Sequence, residues 1–125
     1  MTRTVQCLTA AGAAAMLALV PVTAGAGAAK KHHHKPVKKT VGIHDNYYTP
    51  AKLTIPRGST VTWKWPTTTG DSHDVTLDKG PKGVKKFQSE IAASDFSYKR
   101  RFTKKGAYHI ICSLHEEMTM DIRVR

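Results

Sequence analysis

The sequence predicts an all-β sandwich of about seven or eight short strands, and three observations point there. Short runs of alternating polar and apolar residues recur between turn residues, roughly every 8–12 positions. No stretch holds a 3.6-residue period over three helical turns. At 125 residues the chain has room for one domain and no second core.

The elements follow in order. Met1 to Ala29 reads as a secretory leader: Arg3 gives a positive start, Leu8 to Val22 is an Ala/Leu-rich apolar stretch, and small residues run from Thr23 to Ala29. Cleavage after Ala26, Ala28 or Ala29 fits the small-residue rule equally well. Lys30 to Lys39 (KKHHHKPVKK) has almost nothing apolar to bury and reads as a basic, flexible leader to a domain covering residues 40–125. Thr40 to Ile43, Lys52 to Ile55 and Thr60 to Trp65 are strand-like, with breaks at Pro50, Pro56 to Gly58 and Pro66 to Gly70. In the third of these, Val61, Trp63 and Trp65 share a face. His73 to Leu77 places His73, Val75 and Leu77 together. Phe96, Tyr98, Arg100 and Phe102 line another strand, and Lys104-Lys105-Gly106 turns into Ala107 to Cys112. Ile122 and Val124 close the chain. Lys86 to Ala93 is at most a short helix or turn. After the leader no apolar run approaches the roughly 20 residues that span a bilayer.

Composition narrows the function. Twenty Lys and Arg against nine Asp and Glu give a net charge of +11; loss of Arg3 with the leader makes it +10. Such a charge implies an acidic docking face on a partner, or an anionic cell-surface polymer. The aromatic residues do not interleave with Lys and Arg on one surface, so nucleic acid is not an expected partner. Cys7 departs with the leader, leaving Cys112 as a lone thiol in an exported, oxidising setting, where it is either buried and inert or bound to something.

The stretch Tyr108 to Met120 bears on that choice. It holds Cys112, His115 and Met118 within seven positions, directly after an apolar strand. Cys112 shares the strand face of Tyr108 and Ile110, while His109 faces the other way. His115 and Met118 lie in a loop able to fold over the sulfur, and His73 supplies a second inward imidazole. One thiolate, two imidazoles and a thioether suit a blue copper site, with a weak axial Met. Zinc rarely takes a thioether, and iron–sulfur clusters need more cysteines.

From about Thr40 to Arg125 the chain resembles the plastocyanin/amicyanin-type cupredoxins. The likeness runs through Tyr48-Thr49-Pro50, Leu53-Thr54-Ile55, Gly58 to Trp63, His73 with Val75, Phe87-Gln88-Ser89, Phe102-Thr103 and Gly106 to Tyr108. It ends in Cys112-x-x-His115-x-x-Met118, then Ile122 and Val124. The resemblance implies a Greek-key sandwich and one mononuclear type 1 copper, with His73, Cys112 and His115 as strong ligands and Met118 as the axial one. Met120 is the alternative axial ligand, because His115-x4-Met120 matches the plastocyanin spacing. The family's usual Asn after the first His is Asp74 here, and Leu114 and Glu116 stand where prolines are common.

These readings imply an exported, monomeric electron carrier that cycles Cu(II)/Cu(I) with a redox partner protein. Two other classes compete with it: a copper-binding or storage protein, and a basic binding module that needs no metal. An enzyme is not expected, since one domain with one mononuclear site lacks the additional His clusters of multicopper oxidases. His32, His33 and His34 form a tract that can bind metal weakly. Cleavage after Ala29 would place His32 third from a free amine, an arrangement that wraps Cu(II) in a square plane.

Overall fold

In a computed structural model, described over residues 34–68 and 70–125, two four-stranded sheets pack face to face. The leader reading of residues 1–29, together with His32 and His33, lies outside the described residues. The strands are β1 (Lys38–His44), β2 (Tyr47–Thr49), β3 (Lys52–Ile55), β4 (Ser59–Lys64), β5 (Thr76–Lys79), β6 (Ser97–Phe102), β7 (Gly106–Cys112) and β8 (His115–Val124). One sheet has the order β2-β1-β4-β6 and the other β3-β8-β7-β5. The chain changes sheet at every connection from β2 to β7, so the expected all-β sandwich is what forms. β1 pairs parallel with β4, and β3 parallel with β8.

Alternation explains the packing, because successive strand residues face opposite sides. Val61 and Trp63 on β4 point inward, as do Met118, Met120, Ile122 and Val124 on β8. Two contacts join the sheets through the core. Phe102 meets Tyr108 edge-on with ring centroids 4.9 Å apart. The Trp63 indole N–H donates to the Met120 sulfur at 3.3 Å.

The sandwich has two distinct ends. Gly42 pairs with Lys64, Lys64 with Ser97 and Cys112 with His115, which brings these residues to what we term the Cys112 end. Ser59 pairs with Phe102 and Gly106 with Val124 at the opposite, Gly106 end. There the Arg57 N–H donates to the Arg125 carbonyl and the Gly58 N–H to the Phe102 carbonyl, so the β3–β4 connection is anchored at a strand end in each sheet. Gly106 adopts φ 135°, a conformation that suits glycine, and a side chain there would run into the Pro81 ring.

Four local expectations change. β1 begins at Lys38, inside the stretch read as leader, because pairing with Thr60 uses only backbone and leaves the lysine side chains in solvent. β2 adds a strand that the sequence pattern does not announce, as three residues are too few to show alternation. Residues 86–93 contain no helix; Gln88 and Ala92 instead bridge to Thr76 and His73. The loop expected after Cys112 is a two-residue turn, Ser113-Leu114, and His115 already belongs to β8.

Candidate metal centre

Two of the three donors owe their positions to strand ends, and the third to an isolated bridge. Cys112 is the last residue of β7 and faces inward below Tyr108 and Ile110. His115 opens β8 opposite it, and the register shifts between Ile111 and Cys112, so that Glu116 to Met118 form extra chain beside the sulfur. His73 comes from the stretch before β5, where its N–H and C=O both bond to Ala92. Such irregularities re-aim side chains at the rim of a sheet.

The three donors converge. His73 Nδ1 and His115 Nδ1 lie 3.1 Å apart, and Cys112 Sγ lies 3.9 Å from the first and 3.6 Å from the second. Imidazole and thiolate bonds of about 2.0 and 2.3 Å in a trigonal plane space their donors roughly 3.5–3.8 Å apart, so the cluster fits one ion. His73 and Cys112 are buried and His115 is half-buried. Met118 is fully buried, three residues after His115. Met120 is equally buried, but its sulfur accepts the Trp63 N–H. His109 turns away, as expected, and pairs with Asp121 at 2.8 Å.

Two carboxylates hold this cluster. Asp74 is completely buried, ruling out a solvent-facing role. Its Oδ1 accepts the Ser113 N–H at 2.7 Å; its Oδ2 accepts Ser113 Oγ at 2.6 Å, Gln88 Nε2 at 2.7 Å and Thr76 Oγ1 at 3.2 Å. Burial alone would raise its pKa, but the hydrogen bonds from Ser113, Gln88 and Thr76 outweigh burial and hold the pKa below the usual carboxylate range. The Asp74 carbonyl accepts the Tyr48 hydroxyl at 2.6 Å. Asp45, an exposed residue in the β1–β2 turn, accepts the Asp71 N–H at 3.0 Å and lies 3.3 Å from His73 Nε2. A carboxylate there can only accept, which puts the His73 proton on Nε2 and leaves the Nδ1 lone pair facing the cluster. Sequence reasoning misses Asp45, Gln88 and Thr76, since a single acid in a turn or a lone polar residue carries no pattern.

A family model for copper binding proteins, the plastocyanin/azurin family, matches residues 35–125. The chain belongs to this family. Solved structures agree. Amicyanin from Paracoccus versutus is 30% identical with a TM-score of 0.58, over 69% of this chain and 79% of that one. The reduced Cu(I) form of an amicyanin point mutant is 26% identical with a TM-score of 0.59, over 69% and 80%. A copper-containing nitrite reductase from Thermus scotoductus is 32% identical with a TM-score of 0.57 over 73% of this chain, which spans only 22% of the reductase. No curated protein matches by sequence. The family and the donor set together suit one type 1 copper.

The four-donor cage around Asp74 makes a prediction. An Asn there presents an NH2 group toward donors that need an acceptor, so Asp74→Asn should cost about 1–3 kcal/mol of stability in urea unfolding. Removing the buried anion should also raise the reduction potential of the copper-loaded protein, because a nearby negative charge favours Cu(II). Equal stability and an unchanged potential would show that the cage is not needed.

Proposed function

We propose that this protein is an exported, non-enzymatic carrier of single electrons, with His73, Cys112 and His115 as the strong copper ligands and Met118 as the weak axial one. The observation that carries this reading is the meeting of two imidazole nitrogens and a buried thiol at one end of the two-sheet sandwich. Copper bound there supplies reversible one-electron chemistry between Cu(II) and Cu(I). The chain's own residues supply a fixed frame: β7 and β8 hold the sulfur and one imidazole, and Asp45 orients the other. The secretory character of residues 1–29 supports export. Among the described residues no helix is long and apolar enough to cross a membrane.

Register favours Met118 as the axial ligand. Thr119 pairs with Ile111 and Met120 with Ile110, so Met120 sits further down β8, away from Cys112, with its sulfur engaged by Trp63. His115 is the half-buried ligand and therefore the edge through which an electron passes. Glu116 and Glu117 follow it, and Asp45 and Asp71 flank His73. This local charge favours a partner with a cationic docking face, whereas the net charge alone suggests an acidic one.

A potentiometric titration of the copper-loaded protein should show a reversible one-electron couple, and Met118→Leu should shift it more than Met120→Leu does. An irreversible or absent couple would favour copper storage instead. A larger shift at Met120 would move the axial role there.

The partner reading is tested with small oxidants. Reduced protein should react with a tricationic cobalt(III) complex more slowly as ionic strength rises, despite its positive net charge. A rate that rises with salt would mean that net charge, not the acidic rim, governs the encounter.

A further inference from the structure

The positive charge is not spread over the molecule. All nine acidic residues of the sequence are described, and none lies at the Gly106 end. Asp45, Asp71, Glu90, Asp95, Glu116 and Glu117 are exposed at the Cys112 end, and Asp74 is buried there. Asp45 follows β1 and bonds Asp71; Glu90 lies between Ser89 and Ala92, which bond Val75 and His73; Asp95 bonds the Pro66 carbonyl. Asp78 and Asp121 sit at mid-strand, Asp121 facing His109. The Gly106 end carries Arg57, Lys82, Lys85, Lys104, Lys105 and Arg125, all exposed. At this end Lys85, Arg100, Arg101 and Lys104 line a cavity of about 220 Å³ floored by Phe87 and Tyr108. β1 also enters here, preceded in sequence by further lysines.

We propose that the Gly106 end is a docking surface for a linear polyanion, a polymer bearing closely spaced phosphate groups. Charge complementarity is the first argument: an end with many cationic side chains and no acidic one attracts anions whatever the other end does. The layout of the charges argues for a polymer over a small anion. The cations are exposed and lie on several separate segments, so each contact is weak alone, and useful affinity needs many at once. The scarcity of exposed apolar surface argues against a protein: among the described residues, Val37, at 36% exposure, is the large apolar side chain exposed at this end. Protein interfaces centre on buried apolar anchors. The most exposed large apolar side chains, Tyr47 (54%), Ile91 (55%) and Leu114 (48%), all lie toward the Cys112 end. Nucleic acid bases find no stacking platform here either, because Tyr108 is buried and Arg100 covers the Phe87 ring at 4.7 Å. Docked this way, the protein keeps its donor cluster turned away from the polymer and open to a partner.

The test uses the purified protein and inorganic polyphosphate, and needs no copper. In NMR titration, amide shifts should move in residues 82–85 and 103–106 and stay still at Ser113 to His115. Binding should weaken roughly tenfold or more between about 50 and 200 mM salt. Lys82→Gln, Lys85→Gln and Lys105→Gln together should lower affinity at least roughly tenfold, while Lys52→Gln, Lys64→Gln and Lys99→Gln together should lower it far less. Equal losses in the two triple variants, or shifts centred on Ser113 to His115, would overturn the proposal. Orthophosphate binding as tightly as the polymer at equal phosphate concentration would overturn it in favour of a single small-anion pocket. Tighter binding to phosphatidylglycerol vesicles than to polyphosphate would overturn it in favour of a membrane surface.

Discussion

The Asp74 carboxylate joins the two parts of the chain that must meet for a donor cluster to exist. It sits beside His73 in sequence and accepts both the N–H and the hydroxyl of Ser113, the residue after Cys112. Burying a carboxylate is costly unless its oxygens are satisfied, and here four donors satisfy them. The turn between β7 and β8 is thereby fixed to the segment that supplies the first imidazole. The Tyr48 hydroxyl holds the same segment from the opposite sheet through the Asp74 carbonyl, and burial pushes that phenol's pKa far up, so it remains a donor. A frame of this kind holds the three donor atoms within reach of one another.

The two ends of the sandwich have different chemistry, and the net charge describes neither. The Cys112 end combines acidic side chains with the exposed Tyr47, Ile91 and Leu114, the mixture of apolar centre and charged rim that protein partners use. The Gly106 end is cationic and lacks comparable apolar anchors. The length of the β-strands separates the two surfaces, so under the proposed function one end can be held while the other meets a redox partner.

Much of this was legible in the sequence because it rests on periodicity and spacing. Inward alternation at Val61, Trp63, Tyr108, Ile110 and Cys112 points to the sandwich, and Cys112-x-x-His115 with His73 points to the donors. What escapes detection does so for physical reasons. β2 is too short to alternate, and Lys38 and Lys39 join β1 through backbone pairing alone. The segment after Cys112 reads as a loop because Glu116 and Glu117 interrupt the apolar pattern, yet His115 is already in β8 across a bulge. Asp45 comes next to His73 only through the fold. The segregation of charge depends on strand direction, which composition does not contain.

The central claim is that Cys112 binds copper together with His73 and His115, and visible absorption tests it most directly. Adding Cu(II) to the purified protein should produce, at one equivalent, an intense thiolate-to-copper charge-transfer band that is missing from folded Cys112→Ser. The absence of that band in the native chain, or its persistence in Cys112→Ser, would contradict the claim.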